Sequence, residues 1–309
     1  MRMHTYCIKY VDAFTTKKFS GNPAGVVLDA KGLSDDAMQA IAREISFSET
    51  AFVLPATERD AQIQIRWFTP EVEVPLCGHA TIAAFHALAE EGMVGMETFG
   101  QHYFRVQTKS GILAVCVEKN FHCISVEFEI PNPRFRVKKN LPVEIYKSLG
   151  IKKNESEPRL PIVIDNYLYL PIKRISTLAK LKLDVLGLAK LLKSLKVSGV
   201  CVFTLETIEN NSSVHSRFFA PCFGIVEDPV TGSANGPLGY YLYKYALPAG
   251  FPVSYRELAD GRIEFVGEQG DEINRRGRVR IRLRLKQKDV EDIAILGEAV
   301  TVLNGTITI

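Results

Sequence analysis

Three short stretches hold side chains able to move a proton or stabilise a negative charge: "SFSETAFV" with Glu49, "PLCGHAT" with Cys77 and His79, and "EDPVTGSA" with Glu227, Asp228, Thr231 and Ser233. Glu49 stands at the mouth of an apolar, strand-like run. A carboxyl group partly withdrawn from water there has its pKa raised toward a value useful for proton abstraction. Ser46-Phe47-Ser48-Glu49 also fits a helix capping box, but "TAFVLP" follows and Pro55 arrives before a helix could form. His79 offers either an acid/base imidazole or one simply hydrogen-bonded near a helix start. Asp228 and Ser233 could act on a substrate, or serve only as a dipole-matching charge and an early-turn helix residue. His86, inside an apolar helical run, reads as structural.

Elements able to position these residues appear twice. "RWFTPEVEVPLCGHAT", starting at Arg66, has an altered echo in "RFFAPCFGIVEDPVTGSAN", starting at Arg217. From the second proline the register runs without gaps, so that Pro75-Leu76-Cys77-Gly78-His79-Ala80 lies over Pro229-Val230-Thr231-Gly232-Ser233-Ala234. Each copy reads as strand, loop and glycine-started helix. The first free N–H groups of such a helix, with the positive end of its dipole, can hold an anion or a developing oxyanion. A lone glycine before a helix would signify only a tight turn; a duplicated one with polar neighbours argues for a site.

The surrounding pattern supplies two lobes. Strand, turn, strand and helix fill the region from "HTYCIKYVDAF" to "SDDAMQAIAREI", and two alternating segments lie between Phe104 and Ile130. The turn chemistry of "PNPRF" at Pro131–Phe135 ends the first lobe, giving an N-terminal lobe over residues 1–130 and a C-terminal lobe over 131–297. A final strand, about 298–309, is expected to pack back on the first lobe. Lys180, Lys182, Lys190, Lys193 and Lys196 read as the solvated side of an amphipathic element.

Composition excludes several classes of function. With 38 Lys plus Arg against 35 Asp plus Glu, the net charge of +3 is too small to imply nucleic acid or an anionic membrane surface. No run of about 18 apolar residues appears and the N-terminus lacks a signal-peptide pattern, so a cytosolic location is expected. Six cysteines without CxxC spacing suggest neither a disulfide framework nor a zinc site, and most of them are expected to be buried thiols. No P-loop or dinucleotide fingerprint is present, and neither metal nor cofactor is expected.

"DAFTTKKFSGNPAGVV", "SETAF", "RWFTPEVEVPLCGHAT", "EDPVTGSA" and "GEQGDEINRRGRVRI", in this order, resemble the phenazine biosynthesis-like PhzF family across nearly the whole chain. The resemblance implies an α+β fold of the diaminopimelate-epimerase type: two pseudo-symmetric lobes, each a curved or barrel-like mixed sheet around a central helix, with the active site in the cleft between them. It implies a homodimer and a cofactor-independent isomerase, similar to trans-2,3-dihydro-3-hydroxyanthranilate isomerase, acting on a small cyclic or unsaturated carboxylate. Glu49 inherits the role of proton-transferring acid/base, while His79, Asp228 and Ser233 surround the substrate. Asn22, Gly78, Thr231 and Gly232 are assigned to substrate binding. A two-cysteine epimerase of the same fold would need a thiol in the second copy to match Cys77, and "VTGSA" has none. A non-enzymatic, protein-binding relative is the remaining alternative.

Overall fold

The computed structural model describes residues 4–309, which divide into two compact units. One holds the chain up to Glu129 together with Leu296–Ile309, and the other holds Ile130–Ile295.

In the first unit the strands are β1 (Thr5–Ala13), β2 (Asn22–Val27), β3 (Thr50–Pro55), β4 (Ile63–Phe68), β5 (Glu73–Val74), β6 (Gly100–Thr108), β7 (Gly111–Lys119) and β8 (Ile124–Ile130). The last strand of the chain, β18 (Asp289–Thr308), pairs with β1 and β8. Pairings of β1 with β2, β2 with β3, β3 with β4, β4 with β6, β6 with β7 and β7 with β8 complete a closed eight-strand circuit.

Helix α1 (Asp35–Ile45) begins where the Ser34 hydroxyl accepts the Ala37 N–H, with Asp35 and Asp36 in its first turn. It ends at Ser46, whose φ of 60° is left-handed. Ser46 therefore closes a helix and opens none, which removes the capping-box reading of "SFSE". The apolar side of α1 (Met38, Ile41, Ala42) packs with Phe52 and Phe68 of the sheet.

Helix α2 (Gly78–Glu90) is buried from His79 through Ala89. A helix apolar on every side belongs inside a core. Five alanines along it keep its surface narrow, and it lies against β1, β2, β3 and β7.

The second unit carries the strands β9 (Arg136–Val137), β10 (Val163–Ile164), β11 (Tyr167–Pro171), β12 (Gly199–Thr204), β13 (Val214–Ala220), β14 (Ile225–Asp228), β15 (Arg256–Glu257), β16 (Ile263–Gln269) and β17 (Gly277–Lys286). Its pairings repeat those of the first unit in order and sense. The antiparallel pair β1–β2 recurs as β10–β11, parallel β2–β3 as β11–β12, and antiparallel β3–β4 and β4–β5 as β12–β13 and β13–β14. Parallel β4–β6 recurs as β13–β16, and antiparallel β6–β7 as β16–β17. The duplication visible in one phrase thus extends to the whole strand plan.

Helices α3 (Val143–Ser148), α4 (Ile175–Ala179) and α5 (Val185–Leu195) share one apolar cluster in which Ile145, Leu178, Leu188 and Leu192 are fully buried. All five lysines of the 180–196 segment are exposed, as a solvated face requires. Helix α6 (Gly232–Tyr241) is the counterpart of α2 and lies against β16 and β17. Gly239 makes that approach possible, since a Cβ there would stand 2.4 Å from Ile281 Cγ2.

Three details differ from the sequence expectation. The final strand starts at Asp289, well before 298, because "DVEDIAIL" extends it upstream of the residues that pair with β1. Helix α6 starts at Gly232 as expected but passes into a π-helical turn at Leu242–Ala246. Of the cysteines, all free, only Cys77 and Cys201 are buried; Cys7 is exposed and the rest are intermediate, Cys116 on β7, Cys123 in the turn between β7 and β8, and Cys222 in the short 3-10 turn after β13.

Candidate active site

In the first unit, the chain leaves α1, passes Ser48 and Glu49, and enters β3. The Gly25 N–H donates to the Glu49 carbonyl at 3.2 Å and fixes the backbone there. The Glu49 side chain is only 15% exposed, and its buried Oε2 makes no hydrogen bond, although His79 Nε2 stands 3.4 Å away. Burial raises the Glu49 pKa above the usual carboxyl range, with hydrogen bonds from Ser48 and Cys77 pulling the other way.

Both neighbours come from the start of α2. Cys77 occupies the position before the helix and His79 its second residue. Cys77 Sγ lies 3.5 Å from His79 Nδ1, and Ser48 Oγ lies 3.3 Å from His79 Nε2. The imidazole is held on both edges. No acidic residue sits in the first turn of α2 to cancel its positive end. Asn22 is fully buried at the head of β2, opposite Ala13.

A second cluster lies in the second unit. Asp228 ends β14 and accepts a 2.5 Å hydrogen bond from the Thr231 hydroxyl. Gln269 locks both: its Nε2 donates to the Asp228 carbonyl (2.8 Å) and to Thr231 Oγ1 (3.0 Å), while its Oε1 accepts from the Thr231 N–H (3.1 Å) and Asn235 Nδ2 (2.9 Å). Thr231 occupies at α6 the place that Cys77 has at α2. Ser233 is exposed, 3.0 Å from the Tyr167 hydroxyl. Gly232 is buried and Gly78 half-buried at their helix starts. Thus Glu49 and His79 meet, Asp228 and Thr231 meet, and Ser233 stands with Tyr167.

Sequence reasoning missed Ser48, Tyr167, Asn235 and Gln269 as members of these clusters. Ser48 and Gln269 lay inside motifs already singled out, "SETAF" and "GEQGDEINRRGRVRI". Glu227, grouped with Asp228 by the sequence, has a different task. It forms a two-pronged pair with Arg217 (2.8 and 2.7 Å), as Glu73 does with Arg66 (2.8 and 3.0 Å). The longer spacer of the second copy is absorbed between these partners, and the paired arginine scaffold is what the duplication preserves.

The duplication does not extend to the carboxyl group. Thr50 pairs with Phe68 and Val200 with Phe219, and these phenylalanines are equivalent, so Glu49 corresponds to Gly199. A Cβ at Gly199 would lie 2.7 Å from Phe218 Cζ and 2.8 Å from the Phe219 carbonyl oxygen. There is no room for a second carboxyl side chain at this position. Gly199→Ala should accordingly lower stability by about 1–3 kcal/mol through overpacking, read as an earlier urea midpoint. A midpoint equal to wild type would mean that β12 can shift to admit a side chain.

The family model for phenazine biosynthesis-like proteins matches residues 11–305. The chain belongs to this family. An uncharacterized isomerase of Clostridium acetobutylicum is 34% identical over 314 residues, covering 98% of each chain. A crystal structure of a PhzF-family phenazine biosynthesis protein from Bacillus anthracis superposes with a TM-score of 0.86 at 32% identity, covering 99% of this chain and all of that one. A hydroxyproline epimerase from Agrobacterium vitis, 13% identical and covered to 92% by a match over all of this chain, shares the fold at a TM-score of 0.60. The α+β, diaminopimelate-epimerase-like architecture is therefore that of the family. Among the described residues, no helix is long and apolar enough to cross a membrane.

Proposed function

We propose that the chain is an isomerase that moves a proton within a small, carboxylate-bearing cyclic or unsaturated metabolite, without a cofactor, using Glu49 as its single base. The observation that carries this reading is the buried Glu49 carboxyl beside His79, with a glycine lacking side-chain room at the equivalent position. Burial raises the carboxyl pKa, which brings a carboxylate's basicity closer to the working pH and lets the same group return the proton as an acid. The acidic C–H of such a substrate lies next to unsaturation or a carbonyl. As the proton leaves, charge develops on the conjugated system, and the N–H groups at the Gly78 start of α2, with no acidic residue in its first turn, are suited to stabilise it. His79, within 3.4 Å of Glu49, orients the carboxyl group or relays the proton. Asp228 and Ser233 keep orienting and substrate-contact roles in this proposal.

The thiol pair of a two-cysteine epimerase has no counterpart, because Thr231 matches Cys77 and spends its hydroxyl proton on Asp228. The test is incubation in D2O with a panel of small cyclic and unsaturated carboxylates, including trans-2,3-dihydro-3-hydroxyanthranilate. Deuterium should enter one activated C–H position and a shifted double bond should appear in the product. If no panel member exchanges while several stabilise the protein by binding, the proton-transfer reading is wrong.

A further inference from the structure

We propose that Glu49, Cys77 and His79 form a binding site for a thiophilic divalent transition metal, of the Zn2+ class, which shuts off the isomerase by occupying its base. One ligand atom from each residue lies within 4.8 Å of the other two. The donor set of thiol, imidazole and carboxylate is one that Zn2+ and Co2+ favour over Mg2+ or Ca2+. Sequence spacing did not suggest it, because Glu49 reaches the Cys77–His79 pair only through the fold.

The geometry is already partly that of a metal centre. Cys77 Sγ and His79 Nδ1 are 3.5 Å apart, matching the edge of a tetrahedron with bonds of about 2.3 Å to sulfur and about 2.0–2.1 Å to nitrogen. Glu49 Oε2 is buried without a hydrogen bond, a lone-pair donor 3.4 Å from the other imidazole nitrogen, Nε2. Three protein donors leave the fourth tetrahedral position for water. On binding, the Cys77 thiol loses its proton to solvent and its sulfur becomes the anionic ligand.

Inhibition rests on the proposed role of Glu49, whereas metal binding does not. The test therefore uses purified protein, free Co2+ as a spectroscopic stand-in for Zn2+, and no substrate. Titration should saturate at one equivalent with a thiolate-to-cobalt charge-transfer band, which Zn2+ bleaches and excess Mg2+ leaves intact. Cys77→Ser should remove the band, while Cys7→Ser, at the exposed cysteine, should keep it. Glu49→Gln preserves size and should keep the band but weaken affinity by at least the roughly 10- to 100-fold typical of losing an outer-shell partner. Absence of saturable binding, a band undiminished in Cys77→Ser, or an unchanged affinity in Glu49→Gln would each overturn the assignment. The last variant decides the matter even if Cys77→Ser fails to fold. If the metal binds but D2O exchange of a found substrate is not inhibited, the site stands and the role of Glu49 falls.

Discussion

Glu49→Gln should retain the fold and lose proton transfer by roughly 10²–10⁴-fold, the contribution expected of a positioned general base. The amide keeps the size and one acceptor of the carboxyl but cannot take a proton at working pH. If Glu49 acts only when the C–H bond is breaking, kcat and kcat/KM fall together and substrate binding is spared. Deuterium exchange at the activated carbon reads this even where net isomerisation is slow. A variant that exchanges at the wild-type rate would remove Glu49 from the mechanism.

The same substitution should stabilise the protein, and the pH dependence of that gain has a fixed sign. Burial raises the folded-state pKa of Glu49 above its ordinary value of 4.5. A group raised in this way is neutral and harmless below 4.5, and its ionisation costs stability as pH climbs through the raised pKa. Gln carries no such cost. The thermal midpoint of Glu49→Gln should thus exceed that of wild type at neutral pH, with the difference vanishing near pH 4.5 and below. A destabilised variant at neutral pH would show that the carboxylate is held by favourable contacts, which would undercut its use as a base.

Why Glu49 could be picked out of the sequence, and Gln269 could not, comes down to chain distance and strand parity. "SETAFVLP" ruled out a helix by its own proline, so a carboxyl group at a strand mouth was legible locally. The helix starts at Gly78 and Gly232 were legible because two copies could be laid over each other. Gln269 reaches Thr231 from 38 residues away and Tyr167 reaches Ser233 from 66, contacts created only by the parallel β13–β16 pairing and by the placement of α6. Glu227 and Asp228 looked equivalent as a string. Adjacent strand residues face opposite sides, so Glu227 turns to Arg217 while Asp228 turns to Thr231. The lack of room for a carboxyl group opposite Glu49 in the second copy was equally hidden, since a glycine at position 199 signifies crowding only once Phe218 and Phe219 are seen beside it.

Glu268→Ala should be the costliest substitution away from Glu49. The preceding neighbour of Gln269 is fully buried, where it accepts from His215 Nδ1 at 2.8 Å and from the backbone N–H groups of Ile208 and Glu209, each at 2.8 Å. Glu272 takes the other imidazole nitrogen at 2.9 Å. Burial works against charge on His215, but the hydrogen bonds to Glu268 and then Glu272 outweigh it and push the pKa from 6.5 up to about 9. Burial likewise opposes ionisation of Glu268, yet His215 and the two N–H groups hold it down at about 2. Removing one partner of such a buried pair costs about 3–5 kcal/mol, because a charge and two amides lose their partner together. At roughly 2–4 °C per kcal/mol for a unit of this size, the midpoint should fall by about 6–20 °C. The His215 contribution is complete below pH 6.5 and drains away as pH rises through about 9, whereas that of Glu268 is complete above pH 4.5 and drains away as pH falls toward 2. The gap between wild type and variant should therefore be widest between pH 4.5 and 6.5 and shrink on either side. A gap that stays constant from pH 6.5 to above 9 would mean that His215 is neutral in the folded chain and that the pair is held together by geometry alone.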